Sequence, residues 1–414
     1  MSEKMRDSGV SWIGEIPEGW ETSEIQYKFE QVKRKNIGNQ EKNLLSLSYG
    51  KIIQKDIEKS IGLLPESFET YNIIENGDIV FRLTDLQNDQ RSLRVGLAKE
   101  KGIITSAYQT IRPKNSGEID SRYFFYLFYD YDIQKVFYGM GAGVRQGLTF
   151  EELKRLKIIV PKSLSEQKTI ADHLDKQSQQ FDQATNLLKA EIAQLRAYKK
   201  SLIYETVTKG LDKNVQFKDS GVDWIGEIPE DWEVGKTKYF FDIFAGGDIS
   251  ESELSKEPDE LHYIPVLSNS KENHGIFGYS NKSRFGKGSF TVTGRGDVGY
   301  AEPRNYDYYP VIRLLIGVPK KEMDNRFAAY WINTAEIDRN QTAIPQMTRQ
   351  TLGEVPFPSI LFSEQKAIAD YLDEKIHKIN EILQIKELQL RNIAEQRKTL
   401  IYEVVTGKRR GYGI

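Results

Sequence analysis

The chain has 414 residues, 39% hydrophobic and 29% charged, with 58 Lys and Arg against 60 Asp and Glu, no cysteine and a mean hydropathy of −0.55. That length exceeds one ordinary core and predicts two or more domains. The composition excludes disulfides and thiolate metal sites and lacks the apolar run a membrane span needs, and a net charge near −2 means that any nucleic-acid binding has to use local patches.

The N-terminal MSEKMRDSGV has no apolar core, so no secretory signal is expected. Residues 7–21 then read DSGVSWIGEIPEGWE, a phrase that returns at 219–233 as DSGVDWIGEIPEDWE. From about 22 to 160 come strand-like runs, GDIVFRLT from Gly77 and GIITSAY from Gly102, and one aromatic helix pattern, SRYFFYLFYDYDIQKVF. SEQKTIADHLD at Ser165 reads as a helix start with Ser as N-cap. It opens a heptad seam of Leu174, Phe181, Leu188, Leu195 and Leu202. The second half repeats the plan. From about 234 to 358 lie GSFTVT, VIRLLIGV and the helix pattern NRFAAYWINTAEI. SEQKAIADYLD at Ser363 follows, 198 positions after its twin. Its seam is Leu372, Ile379, Ile393 and Leu400, with companions Ile376, Leu383 and Leu390 and an interruption at Lys386. The ends KSLIYETVT and KTLIYEVVT keep the same 198-residue offset, so the two helices match without insertion or deletion.

Strands mixed with few helices predict an α+β fold. The expected boundaries are 1–160 for a first domain with its corner segment 7–21, 161–210 for a central long helix, 211–358 for a second domain with its corner segment 219–233, and 359–414 for a C-terminal long helix. If the two helices pair, the connectivity makes them antiparallel about a pseudo-two-fold axis, with the two domains at opposite ends. The repeated phrase is then a corner piece where a helix hands over to a domain. Trp12, Trp20, Trp224 and Trp232 pack it, and Pro17 and Pro229 fix the turn. Two unlike readers on a spaced scaffold suit duplex DNA. A scaffold whose end domains bind protein is the alternative, and salt-sensitive duplex binding separates the two.

On the doubled WIGEIPExW phrase, the doubled SEQ…IAD…LD helix start and the LIYE-V-T helix ends, the whole chain resembles the specificity subunit of type I restriction-modification systems. GDIVFRLTDLQNDQRSLRVGL and GIITSAY look like one class of that family's target-recognition domain. The resemblance implies two α/β target-recognition domains with twisted sheets, separated by two long antiparallel coiled-coil helices. It implies a non-catalytic cytoplasmic subunit that reads a bipartite asymmetric site in double-stranded DNA, one domain per half-site. The implied partners are two methyltransferase (M) subunits and restriction/translocase (R) subunits, with no membrane. No cofactor is expected in this chain: S-adenosylmethionine for adenine N6 methylation belongs to the methyltransferase partner, and ATP and Mg to the restriction partner.

The residues themselves offer little catalytic chemistry. Gly294, Gly296 and Gly299 have dinucleotide-loop spacing, but YAEPRNYDYYP follows and cannot form the helix such a site needs. The weaker GMGAG stretch (139–143) follows a helix, and no phosphate loop exists. The Asn/Asp-Pro-Pro-aromatic motif of adenine methyltransferases is missing. His173, His262, His274 and His377 lack metal-ligand spacing, so metal is not expected. DNA-reading candidates are clearer. TDLQNDQRSLR lies between strand-like runs and carries Gln87, Asn88, Gln90, Arg91 and Arg94, and Arg82 alternates outward from the preceding strand. Lys51 in SYGK corresponds to Lys271 in SNSK, beside Asn269. Arg284, Lys287, Arg295 and Tyr300 complete the second set. Arg145 with Gln146, and Gln346 with Arg349, precede the long helices at matching places.

Overall fold

The computed structural model describes residues 4–56, 67–86, 89, 92–140, 147–336 and 346–409. The chain divides into two compact units, Met1–Lys189 with Leu388–Ile414, and Ala190–Glu387. The first unit holds the N-terminal part of the helix Leu164–Lys209 and the C-terminal part of the helix Phe362–Val405; the second unit holds the other two parts.

Each unit is built on one four-stranded antiparallel sheet. In the first the order is Phe29–Gln31, Gln109–Pro113, Ile79–Phe81, Val95–Leu97; in the second it is Phe241–Ala245, Leu314–Pro319, Ser289–Thr293, Ala301–Arg304. The order is the same in chain terms, although little of the sequence between the repeats matches. The continuous apolar run Ile79–Phe81 arises because this strand is covered on both faces. Phe81 meets Phe128 of the aromatic helix Ser121–Ile133 edge-on at 5.1 Å. Val80 joins Leu45, Ile74 and Ala98 in a separate small core on the other side. In the second unit Phe290 and Val292 face the helix Asn325–Thr334, while Leu314 and Ile316 face a small core with Leu267 and Tyr308.

The SEQ…IAD…LD motif is a clamp between domain and helix, and both units use it alike. Glu166 accepts the Trp20 indole N–H at 3.1 Å, and Glu364 accepts that of Trp232 at 3.2 Å. Gln167 accepts the Asp120 amide N–H at 2.9 Å, and Gln365 that of Asp324 at 3.0 Å. Arg122 pairs with Asp120, Asp172 and Asp175; Arg326 pairs with Asp324, Asp370 and Asp373. Tyr126 and Tyr330 donate to the last carboxylate of each set at 2.8 and 2.6 Å. The apolar positions Ile170, Ala171 and Leu174, like Ile368, Ala369 and Leu372, are fully buried.

The corner phrase behaves as its Trp content predicts. Trp20 and Trp232 are buried, Trp12 meets Tyr131 edge-on at 6.1 Å, and Trp224 meets Trp331 at 5.6 Å. In the first unit the corner receives the end of the second long helix. Lys408 Nζ donates to Ile13 O at 2.8 Å, and a Cβ on Gly407 (φ 71°) would lie 2.5 Å from Pro17. In the second unit Gly210, ending the first helix, lies against Trp232 and Glu364 in the same way.

Within each unit the long helices run antiparallel. Asp182 meets Arg397 at 2.6 Å in the first; Glu191 meets Lys386 at 2.7 Å, Arg196 meets Glu387 at 2.9 Å and Lys199 meets Asn380 at 2.8 Å in the second. The seam residues Leu174, Leu372, Ile379 and Leu400 are buried; Phe181, Leu188, Leu195, Leu202, Ile376, Leu383, Leu390 and Ile393 are half-buried. Lys386, the interruption, is accommodated by Glu191. The helix starts differ from expectation. The first helix begins at Leu164, and Ser163 Oγ, not Ser165, accepts the Glu166 amide at 3.2 Å. The second begins at Phe362, so Ser363 lies inside it. The exposed Leu361 occupies the cap position and offers only its carbonyl, to Glu364 and Gln365.

Candidate nucleic-acid interface

Among the described candidates, Arg284 and Lys287 lie in the connection between Ile276–Ser280 and Ser289–Thr293, and Gln346 and Arg349 at the start of the short helix Arg349–Glu354. Lys51, Arg82, Arg94, Asn269, Lys271, Arg295 and Tyr300 lie on or beside the same pair of hairpins in the two units. One joins two strands of the main sheet: residues 82–94 in the first unit, between Ile79–Phe81 and Val95–Leu97, and 294–300 in the second, between Ser289–Thr293 and Ala301–Arg304. The other is Leu45–Ser48 with Lys51–Gln54 in the first unit, and Ile264–Leu267 with Ile276–Ser280 in the second. Neither assignment follows from composition; the first follows from the shared order of the main sheets, the second from the equal place of the hairpin in the chain ahead of the main-sheet hairpin.

In the first unit Phe81 and Leu83 are buried and Arg82 between them is half-buried, as alternation requires. Gln87, Asn88, Gln90, Arg91, Arg145 and Gln146 lie outside the described residues. Arg94 does not project as expected: it is fully buried. Its guanidinium donates to Thr84 O at 2.6 Å, Arg82 O and Asp85 O at 3.2 Å, and Asp89 O, and its Nε donates to Tyr138 Oη at 3.1 Å. The backbone N–H of Arg94 donates to Asp132 at 2.5 Å. Burial pushes the Asp132 carboxyl up to about 6, opposed by that hydrogen bond. Four part-buried carbonyls converging on one buried cation make Arg94 the clasp of the loop, since the guanidinium supplies donors that water would otherwise have to provide. Lys51 is exposed and pairs with Asp182 at 2.9 Å, which joins it to Arg397.

In the second unit Asn269 bridges segments, accepting the Gly294 amide at 2.8 Å and donating to Ile312 O at 3.1 Å. Lys271 pairs with Asp297 at 3.1 Å and lies 5.7 Å from the centre of the Tyr300 ring. Both line an open cleft of about 480 Å³ with Gly296, Gly299 and Asn333. Burial raises the Tyr300 phenol above its usual range. Arg295, Arg284, Lys287, Gln346 and Arg349 are exposed; Arg284 lies 5.9 Å from the Phe285 ring centre, and Arg349 begins the short helix Arg349–Glu354. The strand Ala301–Arg304 follows the 294–300 glycines directly, so no helix terminus meets them. Among the described residues no three His, Asp or Glu side chains converge as a metal site, and no helix is long and apolar enough to cross a membrane. Sequence reasoning missed the clamp arginines Arg122 and Arg326; their equal places in the two aromatic helices, beside the repeated Asp pairs, were the available signal.

The sequence and the fold have counterparts in known proteins. The family described as the type I restriction modification DNA specificity domain matches residues 17–197 and 229–391. A putative type I restriction enzyme specificity subunit (MjaX) of Methanocaldococcus jannaschii is 27% identical over 421 residues, covering 96% of this chain and 95% of its own. A putative type I specificity subunit of Mycoplasma pneumoniae (S.MpnORF507P) is 31% identical over 133 residues, 32% of this chain and 36% of its own. The same fold occurs in a chain from a structural study of type I R-M complex assembly, with a TM-score of 0.72 at 15% identity over 94% of this chain and 98% of that one. It also occurs in the HsdS subunit of Thermoanaerobacter tengcongensis, with a TM-score of 0.55 at 15% identity over 95% and 98%. The chain belongs to the specificity subunits of type I restriction-modification systems, the non-catalytic DNA-recognition subunits of those complexes.

Proposed function

We propose that this subunit reads a bipartite, asymmetric duplex site, each unit taking one half-site through its own two hairpins and the connection between them. The observation that carries this is the pairing of sameness and difference: one sheet order and one clamp in both units, but reading loops of unlike sequence and length on each. In the first unit Lys51, Arg82 and the polar 82–94 loop supply the contacts; in the second, Lys271, Arg284, Lys287, Arg295 and Tyr300 do. Asn269 works there by joining the two loops. The long helices carry two methyltransferase subunits, with restriction subunits joining for cleavage. S-adenosylmethionine for adenine N6 methylation sits on the methyltransferase, ATP and Mg on the restriction subunits, none on this chain, and the complex works in the cytoplasm. Replacing residues of about 234–358 by the second domain of another member tests the modular reading. Sequencing of methylated adenines is expected to show one half of the motif changed and the other kept; a change in both halves contradicts it.

A further inference from the structure

The turn Tyr49-Gly50 closes the hairpin between Ser48 and Lys51, and both residues have positive φ, 46° and 78°. Such two-residue turns favour Asn-Gly, and a bulky residue at the first position is a genuine outlier. Tyr49 is nonetheless there, and it is 78% exposed. Packing does not explain a tyrosine at this position, since a buried ring would be needed for that. The turn also touches other segments on both sides. Lys51, the next residue but one, is tied to Asp182 at 2.9 Å. Position 50, at φ 78°, favours glycine, and a Cβ there would press on Leu93 at 3.2 Å. Leu93 belongs to the 82–94 loop, so the tip of this hairpin abuts the candidate reading loop.

The second unit repeats this juxtaposition with other residues. Its corresponding hairpin carries Asn273 (φ 46°), His274 (φ 54°) and Gly275 (φ 77°) in succession. The buried Arg304 fixes this turn by donating to His274 O at 3.0 Å, and Asn269 and Lys271 join it to the 294–300 loop. The left-handed tip recurs in both units beside the other reading loop; in the second it is made of Asn, His and Gly, which adopt that conformation readily, whereas the bulky Tyr49 of the first does not. Strain of this kind points to function when the surroundings enforce it.

We infer that Tyr49 is a specificity-determining residue of the first unit, its exposed phenol ring and hydroxyl held out on a preorganised turn to contact a base edge of the first half-site. The inference rests on the reading of this unit as a duplex-DNA reader and adds a residue to it. An apolar ring edge suits a thymine methyl, and the hydroxyl suits a neighbouring acceptor or donor. A two-residue turn leaves the backbone few states to lose on binding, so the ordering cost falls mainly on the Tyr49 side chain.

The test uses the full chain assembled with its methyltransferase subunits and synthetic duplexes carrying the methylated motif mapped for the wild type. Tyr49→Asn makes the turn Asn-Gly, and Tyr49→Ala removes the ring. Both variants are expected to bind the motif about tenfold or more weakly, with one position of the first half-site relaxed or changed. The second half-site, the salt slope and the affinity for unrelated duplex are expected to stay as in the wild type. Tyr49→Asn is expected to melt at the wild-type temperature or above, since it relieves the turn. A wild-type motif and affinity in both variants overturns the inference. So does a loss equal for all duplexes, which marks a phosphate contact, and so does a lower melting temperature for Tyr49→Asn, which marks a structural role. If the wild-type complex itself prefers no duplex, the failure lies with the DNA-reading proposal and not with Tyr49.

Discussion

Arg94 lies in the polar run TDLQNDQRSLR, yet it has no exposed surface and donates to four carbonyls of its own loop. Nothing in the residue types of that run distinguishes it from a surface arginine. The difference is made by segments remote in sequence, Tyr138 and Asp132, which close over it. Arg82 was legible because a period of two between Phe81 and Leu83 is a local property. Truncating Arg94 removes the shared donor of four part-buried carbonyls and empties a fully buried side-chain site. Arg94→Ala is therefore expected to destabilise the first unit by about 2–4 kcal/mol. It should also loosen the loop, speeding amide exchange over the described residues of 82–97, and relax only the first half of the methylated motif. Hydrogen exchange and methylome sequencing check this; unchanged exchange in the loop would remove Arg94 from the clasp role.

At the scale of elements, the long helices, their heptad seams and the aromatic helices were legible because each has a period that many residues repeat. The clamp in SEQ…IAD…LD was not, since its partners Trp20, Asp120 and Arg122 lie 40 or more residues away in sequence and only the fold brings them in. The common sheet order was hidden for a related reason: strands of three to six residues carry too little pattern to align two diverged domains. The helix starts were misplaced because PKSLSEQ contains two serines two positions apart. Ser163, outside the first turn, has the free geometry of a cap, whereas Ser165 is already helical. The second helix has Leu361 at that place, so its first amides lack a side-chain acceptor. Ser163→Ala is expected to lower stability by about 1 kcal/mol, and Leu361→Ser to raise it by about 1 kcal/mol. Glu364 is occupied by Trp232, so the gain is that of a single cap and not of a full capping box. Melting temperatures of the two variants moving in opposite directions check the assignment; equal or reversed shifts contradict it.

At the scale of the whole molecule, the first compact unit is completed by residues from the far end of the chain. Leu400, Ile401, Val404 and Val405 belong to its main core. A half-chain of residues 1 to about 212 lacks them, but the 198-residue repeat supplies Leu202, Ile203, Thr206 and Val207 as stand-ins from a second copy. Transferring the observed pairs through the repeat makes the partner of Asp182 Lys199 instead of Arg397, which keeps an ion pair. Glu191 loses Lys386 and faces Leu188, and Arg196 faces Lys189 where it had Glu387. The centre of such a homodimer falls near Ala190 and Glu191, not at Leu188, about which the first seam by itself is symmetric. The exposed like-charge contact costs about 0–1 kcal/mol. Replacing a buried Val by Thr206, and the large Ile376 and Leu383 by Ser178 and Thr185, removes about 1.5–3 kcal/mol for each large side chain no longer buried. The half-chain is therefore expected to dimerise more weakly than the intact helices pair. Once it has done so in the presence of the methyltransferase, it should direct methylation to a palindrome of the first half-site. Lys189→Glu, which restores an opposite charge to Arg196, should tighten that dimer modestly. Light scattering across a concentration series and sequencing of methylated adenines read both outcomes, and a half-chain that stays monomeric and inactive at every concentration would show that the 388–405 segment has no substitute.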